Sequence, residues 1–397
     1  MTVMKWPTIV YLGNDWSADN RTSSHHIARR LMRDHKVIYV ECPGLRAPSG
    51  SKRDFKRILA KVAKFFRGPQ SLGNGCYVYT LFQVPFHRFT IVRRLNERLV
   101  TLLLGRLLRK LGIERPILWF LEPHVAMIMG KLNERLTVYY CIDDYASLPG
   151  VNRQMVEEMD HQLTTRADVV FVISAPLQKQ KMAIRPNTIL SRHGVDYEHF
   201  SKVYHHTIEP ATEVMGLKSP VIGFFGLVES WIDLDLIKFL AEMRPQWNFL
   251  FIGRVAVEQN PCASMPNVHF INSKPYDELP AYAVKFDVCL IPCRNSQLIY
   301  NFNPLKLREY LAMGKPVVST DFPELDGFRD VIEVATSYQE FLQKIETALA
   351  TDSSEKAQQR MKKVEPFSWE NRYRTVTEVV NAALEAKKSN GGLNSIC

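Results

Sequence analysis

The stretch that decides the fold is Asn301-Phe-Asn-Pro-Leu-Lys-Leu-Arg-Glu-Tyr-Leu-Ala-Met-Gly-Lys-Pro-Val-Val318. Asn303 is a favourable N-cap, and Pro304 suits the first helical position, where its missing N–H costs no hydrogen bond. Gly314 suits the left-handed residue that ends a helix. The stretch therefore predicts a helix over 304–313 that is followed at once by a short buried strand over 316–319.

The start of this helix has the chemistry of an anion site. Free backbone amides and the helix dipole favour negative charge there, and Lys306 adds a full positive charge in the first turn. Glu309 lies three residues later on the same face, where a carboxylate can accept both hydroxyls of a ribose. The pattern favours a nucleoside diphosphate as ligand. A plain surface ion pair between Lys306 and Glu309 is the alternative.

The same alternation of strands and helices surrounds the deciding stretch. Helices are predicted over 234–243 and 276–284, and strands over 221–225, 249–252, 268–270 and 288–291. Short β-branched runs separated by helices predict a parallel sheet covered on both faces. This half of the chain is thus expected to be Rossmann-like.

The first half repeats the pattern before a polar stretch over 185–196 that is typical of a linker. Its helices are predicted over 23–33 and 153–166, and its strands over 8–12, 37–40, 117–120, 137–142 and 169–173. A chain of 397 residues exceeds what one core usually supports. We therefore predict two α/β domains, 1–190 and 191–366, with a helix over 369–386 and a flexible tail over 387–397.

Two parallel sheets are expected to place the carboxyl ends of their strands around an interdomain crevice that binds ligands. Gly223 and Gly226, between a strand and a helix, could let backbone approach a phosphate, although tight packing explains such glycines equally well. Asp233 and Asp235 form an Asp-x-Asp, which we interpret as a helix start rather than a metal site. No metal-ligand cluster is expected.

Carboxylates follow two strands of the first half. Asp143 and Asp144 end the strand over 137–142, where one of them could take the proton of an acceptor hydroxyl, and Glu122 is a second candidate. Side chains alternate in direction along a strand, so only one of the two aspartates should face the ligand. A structural role in a turn is the alternative for both.

Polar residues also follow the first strand and open the first helix. They are expected to line the acceptor side and comprise Asn14, Asp15, Arg21, His25 and His26. A histidine here could contact a phosphate. Neighbouring histidines at a helix start can equally serve only as capping or surface residues.

Several segments together resemble GT-B fold glycosyltransferases, particularly bacterial enzymes that build surface polysaccharides. The helix at 304–313 is similar to their nucleotide-sugar-binding helix, and His193-Gly-Val-Asp196 to the start of their donor lobe. Similar segments also occur at 265–270, 276–280 and 286–292, and Phe367-Ser-Trp369 resembles the tail helix that crosses back onto the first lobe.

The resemblance implies a nucleoside-diphosphate sugar as donor, with UDP favoured over GDP, and no bound cofactor or metal. Donor contacts would come from Gly223, Gly226, Arg254, Asn303, Lys306 and Glu309. The chain departs from many retaining members at Asn301, where they carry a glutamate. It also lacks their Arg and Lys after the strand over 221–225. The charge of the diphosphate would therefore be balanced by Lys306, the helix end and Arg254.

Positive charge is concentrated near the start of the chain. The net charge is +10 overall, but residues 1–110 alone carry 21 Lys and Arg against 6 Asp and Glu, which is +15. Apolar residues recur at helical spacing among cations, at Phe55, Ile58, Leu59, Val62 and Phe66. This pattern favours contact with an anionic membrane surface. The alternatives are a solvated helix and, without any recognition motif, nucleic-acid binding.

These observations predict an enzyme that moves a sugar from a nucleoside diphosphate to a saccharide or a polyprenyl-linked saccharide in cell-surface polysaccharide synthesis. A cytoplasmic address, peripheral at the inner face of the membrane, is expected, since no apolar stretch could span a bilayer. Seven scattered cysteines predict reduced, mostly buried thiols. The alternatives are a nucleotide-sugar epimerase or hydrolase and a non-catalytic, basic, membrane-associated scaffold.

Overall fold

A computed structural model describes residues 6–17, 21–45, 52–84, 89–205 and 208–392. The chain divides into two compact units. The first comprises the residues up to Arg192 and those from Tyr373 onward, and the second comprises His193–Arg372. Within the described ranges, no helix is both long enough and apolar enough to cross a membrane.

The first unit contains an eight-stranded sheet. Its elements in chain order are β1 Ile9–Gly13, α1 Ser23–Asp34, β2 Val37–Glu41, α2 Lys52–Phe66, β3 Gln70–Gly73, β4 Cys76–Thr80, α3 Thr90–Lys110, β5 Ile117–Phe120, β6 Leu136–Cys141, α4 Arg153–Arg166, β7 Val169–Val172, α5 Ala175–Met182 and β8 Ile189–Leu190. The strand order is β3-β4-β2-β1-β5-β6-β7-β8. Every neighbouring pair is parallel except β3 and β4, which are antiparallel.

The second unit contains a six-stranded sheet in the order β11-β10-β9-β12-β13-β14, with parallel neighbours throughout. Its elements, followed by the final helix of the chain, are α6 Tyr197–Ser201, β9 Val221–Phe225, α7 Leu234–Met243, β10 Asn248–Ile252, β11 Val268–Ile271, α8 Leu279–Ala283, β12 Val288–Ile291, α9 Gln297–Tyr300, α10 Leu305–Ala312, β13 Val317–Thr320, β14 Glu333–Ala335, α11 Tyr338–Thr351, α12 Ser354–Val364 and α13 Trp369–Gly392.

Aromatic side chains fill the centre of the first sheet. Tyr11 pairs in register with Tyr39 on one side and Trp119 on the other, and all three are fully buried. The ring centroids of Tyr11 lie 5.4 Å from those of Tyr39 and 5.8 Å from those of Trp119. Strands buried on both faces are the reason that the sequence shows continuous apolar runs instead of alternation.

The α/β prediction with two parallel-sheet lobes is confirmed. Each predicted strand agrees with an observed strand to within one residue at both ends. The elements that the sequence analysis missed are β3, β4, β8, β14, α3, α5, α6, α9, α11 and α12. The helix expected over 276–284 is interrupted, because a 3-10 turn at Tyr276–Glu278 precedes α8. The basic helix is observed as α2, although the side chains of Phe55 and Ile58 lie outside the described residues.

Residues from near both ends of the chain contribute to the first unit. The indole Nε1 of Trp6 donates to Asn381 Oδ1 at 2.5 Å, and the Tyr373 hydroxyl donates to Asp34 Oδ2 at 2.8 Å. Lys387 Nζ lies 2.7 Å from Asp168 Oδ2. Much of α13 is therefore part of the first unit, although the second unit separates it from the rest in sequence.

The end of α10 is held by Arg360 from α12. The Arg360 guanidinium donates from Nε and Nη2 to the Gly314 carbonyl oxygen at 2.9 and 2.7 Å, and Nη2 also donates to Asp352 Oδ1 at 2.5 Å. Gly314 itself has φ +69°, as predicted for a left-handed helix stop. A buried guanidinium thus satisfies a carbonyl at the point where α10 turns into β13.

Arg360→Ala is expected to destabilise the second unit by about 2 to 3 kcal/mol, because it removes charge-assisted hydrogen bonds from a buried position. Lys363→Ala on the same helix is the matched control. It removes an exposed pair with Asp330 and should cost at most about 1 kcal/mol. Calorimetric unfolding of both variants measures the difference, and equal losses would show that the Gly314 clamp adds nothing.

Candidate functional site

Helix α10 begins one residue later than predicted, and Asn303 does not cap it. Pro304 occupies the N-cap position, and no side chain caps the helix. The buried Asn303 amide instead donates from Nδ2 to Glu324 Oε2 at 3.1 Å, and its Oδ1 accepts from Arg308 Nη1 at 2.6 Å. The N-cap prediction is therefore wrong. Because no side chain caps α10, the first backbone N–H groups of the helix can bind a ligand.

Tyr310 fixes α10 against the end of β9, a contact that the sequence analysis missed. Its fully buried hydroxyl accepts a hydrogen bond from the Phe225 backbone N–H at 3.0 Å. The two rings pack edge to face with centroids 4.8 Å apart. This anchoring places the first turn of α10 beside Gly226, the residue that follows β9.

Lys306 and Gly226 lie close together as a result. A Cβ atom built on Gly226, which has φ +132°, would lie 3.4 Å from Lys306 Nζ. The ammonium lies 5.0 Å from the centre of the Phe224 ring, and no carboxylate within the described residues forms a salt bridge with it. Burial lowers the pKa of Lys306, against the opposing effects of Cys293 and Glu309. An anionic ligand beside Lys306 would compensate for the lost solvation and favour the charged form of the lysine.

Glu309 is a buried carboxylate without a hydrogen-bond donor among the side chains that the structure describes. It is 7% exposed. Burial, with a smaller contribution from Asp196, raises its pKa to about 7 against the opposing effect of Lys306. Lys306 and Glu309 are therefore not a surface ion pair. They form a cation and a carboxylate at the same end of α10, as the ligand hypothesis requires.

The affinity for UDP is expected to rise as the pH increases through about 7, because a deprotonated Glu309 accepts hydrogen bonds from ribose hydroxyls and a protonated one is a poorer acceptor. Glu309→Gln should weaken binding by about 1.5 to 3 kcal/mol at pH 8 and remove this step. Isothermal titration from pH 6 to 8.5 compares the two proteins, since the ionisation of UDP itself affects both alike. Identical pH profiles would exclude Glu309 from the nucleotide site.

The remaining donor candidates differ in their surroundings. Gly223 lies inside β9, where an added Cβ would meet the Phe286 ring at 2.1 Å, so close packing accounts for this glycine. Arg254 is exposed at the end of β10, and its carbonyl accepts from Val228 N at 3.0 Å. The packing of Gly223 against Phe286 therefore explains this glycine without a ligand.

The Asp-x-Asp sequence starts a helix, as predicted. Asp233 Oδ1 accepts from the Leu236 N–H at 3.2 Å, which caps α7, and Oδ2 accepts from the Tyr338 hydroxyl at 2.9 Å. Asp235 pairs with Arg294 at 2.6 Å. Across the described ranges, no group of three or more His, Cys, Asp and Glu residues is arranged to hold a metal ion.

Asp143 and Asp144 have different roles at the end of β6. Asp144 Oδ2 accepts from the Ser147 hydroxyl at 2.7 Å, which fits the turn role considered above. Asp143 Oδ1 accepts from the Asp144 N–H at 2.9 Å. Burial, with smaller contributions from the Asp144 and Glu122 carboxylates, raises the pKa of Asp143 to about 7, although the hydrogen bond from the Asp144 N–H opposes this shift. Asp143 therefore has the environment of a general base that works near neutral pH.

Glu122 lies after β5, the neighbouring strand of the same sheet. Its Oε2 is 3.3 Å from Nδ1 of the fully buried His124. The effect of Glu122 on the pKa of Asp143 indicates that both carboxylates share one edge of the sheet. The two candidates for the base therefore follow neighbouring parallel strands of one sheet.

The two histidines at the start of α1 are buried. His25 Nδ1 accepts from the Thr22 N–H at 3.1 Å, and its Nε2 lies 2.9 Å from the Asp15 carbonyl oxygen. Burial lowers the pKa of both His25 and His26. The contacts of His25 match the capping alternative, and a contact of either ring with a phosphate stays a prediction.

One of the other acceptor candidates, Asp15, pairs with a lysine from α2. Lys64 Nζ lies 3.1 Å from Asp15 Oδ1 and 3.6 Å from Oε1 of the buried Glu41. Although burial opposes it, hydrogen bonds from Ser17 and Lys64 hold the pKa of Asp15 below its usual range. Asn14 and Arg21 are both half-buried in the loop between β1 and α1. Sequence spacing could not reveal Lys64 and Glu41 as partners of this loop.

Comparison with known proteins shows which family and which folds this chain resembles. Residues 219–351 match the family Glycosyl transferases group 1. The chain has a GT-B fold with a group 1 glycosyltransferase domain. The resemblance noted from the sequence is thereby confirmed, and the matched residues include β9, Gly226 and the whole of α10.

One relative and three solved structures show how far the similarity extends. A candidate teichuronic acid biosynthesis glycosyltransferase of Bacillus subtilis, TuaH, is 26% identical over 329 residues, which are 78% of this chain and 79% of that protein. A glycosyltransferase from Rickettsia africae aligns with a TM-score of 0.65 and 12% identity over 96% of this chain and 99% of its own.

Anabaena HepE, solved with UDP and glucose, aligns with a TM-score of 0.64 and 14% identity over 94% of this chain and 99% of its own. A UDP-forming trehalose-phosphate synthase from Burkholderia xenovorans aligns with a TM-score of 0.66 and 11% identity over 96% and 99%. At such identities these structures establish the fold alone.

Proposed function

We propose that this glycosyltransferase moves a sugar from a nucleoside diphosphate, with UDP favoured, to a saccharide acceptor in cell-surface polysaccharide synthesis. The observation that carries the proposal is the start of α10, where uncapped amides, the desolvated Lys306 and the buried Glu309 lie together. The group 1 family match and the similarity to TuaH support the same reaction class.

Each unit would contribute a separate part of the reaction. In the second unit, the α10 amides and Lys306 would stabilise the charge that develops on the leaving diphosphate, and Glu309 would hold the ribose. This arrangement is the basis for proposing that no divalent metal is needed. In the first unit, Asp143 would remove the proton from the attacking acceptor hydroxyl as the new glycosidic bond forms.

Asp143→Asn should lower the transfer rate by about 100- to 10,000-fold while the affinity for the donor stays unchanged, because it removes only the base. The wild-type rate should rise with pH through about 7, as Asp143 loses its proton. A panel of radiolabelled UDP- and GDP-sugars with polyprenyl-linked saccharides from bacterial membranes as acceptors measures both effects.

Asp144→Asn is the matched control for this experiment. It should cost about 1 kcal/mol of stability through the turn and leave most of the activity. Full activity in Asp143→Asn would indicate that Glu122, and not Asp143, is the base. Turnover of the donor without any acceptor would favour an epimerase or hydrolase, and the absence of nucleotide binding would favour a scaffold.

We further propose that the enzyme works at an anionic membrane surface, where a polyprenyl-linked acceptor would be found. The structure supports α3 as the contact more than α2. Its exposed face combines apolar with cationic side chains, namely Ile91, Leu95 and Leu102 with Arg94, Arg98, Arg106 and Arg109. On α2, Leu59 and Phe66 are exposed, but Lys64 is paired with Asp15 and is not a free cation.

Replacing Arg94 and Arg98 by Gln should weaken binding to vesicles containing phosphatidylglycerol by about 2 kcal/mol, since each cation near the surface contributes about 1 kcal/mol. Ile91→Ser should also weaken binding, but with little change in its salt dependence. Replacing Lys356 and Lys362 of α12 by Gln controls for net charge. Failure of the wild-type protein to bind these vesicles at low salt would refute membrane contact.

A further inference from the structure

The start of α10 differs from the arrangement that its own residues favour. Asparagine is among the best N-cap residues, and proline is favoured at the position directly after the cap. Pro304 nevertheless occupies the N-cap position with φ −70° and ψ 125°, and no side chain caps the helix. The surrounding fold therefore holds Asn303 away from the cap.

Two buried charged side chains hold the Asn303 amide at both of its ends. Arg308 Nη1 donates to Asn303 Oδ1 at 2.6 Å, and Asn303 Nδ2 donates to Glu324 Oε2 at 3.1 Å. Asn303 is 2% exposed, Arg308 1% and Glu324 5%. Hydrogen bonds to charged groups are stronger than those between neutral groups. A guanidinium thus occupies the oxygen atom that would otherwise accept from the helix.

Both partners of Asn303 are fixed by packing inside the second unit. The guanidinium carbon of Arg308 lies 5.2 Å from the centre of the Phe328 ring and 5.3 Å from that of the Phe367 ring. These two rings pack with centroids 5.5 Å apart. Glu324 lies in a 3-10 turn over Pro323–Leu325 that follows β13. The position of the Asn303 amide is therefore set by tertiary contacts and not by local preference.

Release of Asn303 would change the part of α10 that faces a ligand. Pro304 could then become the first helical residue, and Asn303 Oδ1 could accept from the N–H of Leu305 or Lys306. A diphosphate would have to displace this cap, so its affinity would fall with the uncapped fraction. The carboxylate of Glu309, which is 7% exposed and has no donor among the described side chains, independently indicates a ligand at this end of the helix.

We propose that Arg308 and Glu324 are positioning residues for the nucleotide donor. By holding the Asn303 amide, they keep α10 uncapped and leave its first N–H groups to the diphosphate. The inference rests on the proposed donor site and identifies the residues outside the ligand contacts that maintain it. Asn303 then affects the donor through the helix start and not by direct contact.

Arg308→Met tests this inference, because it removes the donor to Asn303 Oδ1 and keeps an apolar chain of similar length. Binding of UDP should weaken about fivefold, as expected when a ligand must displace one helix cap. Binding of uridine should stay the same, because the nucleoside places no phosphate at the amides. Adding Asn303→Ala should recover most of the lost UDP affinity, since alanine cannot cap the helix. Isothermal titration measures all four affinities.

Arg329→Met is the matched control for the loss of one positive charge in the second unit. Arg329 is exposed and pairs with Asp321 and Asp326, so this change should leave the affinity for UDP unaltered. If thermal unfolding shows that Arg308→Met does not fold, Glu324→Met replaces it, with the same recovery expected on adding Asn303→Ala. GDP and guanosine replace UDP and uridine if the wild-type protein binds only GDP.

A double variant that binds UDP no more tightly than the single variant would overturn the inference, because a purely structural network predicts no recovery. Equal losses for UDP and uridine would overturn it as well. Wild-type protein that binds neither UDP nor GDP would instead overturn the proposed donor site itself.

Discussion

Parallel pairing makes every strand of a sheet end at the same edge, and both candidate sites depend on this constraint. In the first unit it brings the residues after β1, β2, β5 and β6 to one edge, although 130 positions separate Gly13 from Asp143. In the second unit it places Gly226 after β9, where the Tyr310 hydroxyl holds α10 against the sheet. Topology, more than local sequence, assembles each set of side chains.

Burial then determines the chemistry of the assembled groups. Asp143 and Glu309 are both carboxylates whose pKa rises to about 7 because the surrounding protein replaces water. Their neighbours differ, since Glu309 faces the cation Lys306 and Asp143 faces the carboxylate Glu122. The same physical effect can therefore suit one residue for binding a ribose and the other for accepting a proton. In each case the pKa of the carboxyl group depends on how completely the site excludes water.

The parts of the structure that local rules govern could be predicted from the sequence. Strands buried on both faces, the stop at Gly314 and the cap at Asp233 follow from periodicity and from the backbone preferences of single residues. Short edge strands such as β3 and β8 carry no continuous apolar run, which is why they were missed. Asn303 looked like a cap, but its buried partners Glu324 and Arg308 compete more strongly for its amide.

The site residues that sequence reasoning missed are those whose partners lie far away in the chain. Lys64 belongs to a helix whose pattern suggested a free cationic face, yet it pairs with Asp15 and Glu41. His25 and His26 looked available, but both are buried, and Nε2 of His25 lies 2.9 Å from the carbonyl oxygen of Asp15 in the preceding loop. Long-range pairing of this kind leaves no periodic signal, so only the folded structure reveals it.

The contribution of α13 to the first unit has a consequence for biosynthesis. During translation, the eight strands of the first sheet are complete long before Asn381 and Tyr373, which bind Trp6 and Asp34, have been synthesised. The second unit, made of one continuous segment, could thus reach its final fold on the ribosome before its neighbour does. Until α13 has been synthesised, the first unit would expose the apolar surface against which Val376, Val380 and Leu384 are buried.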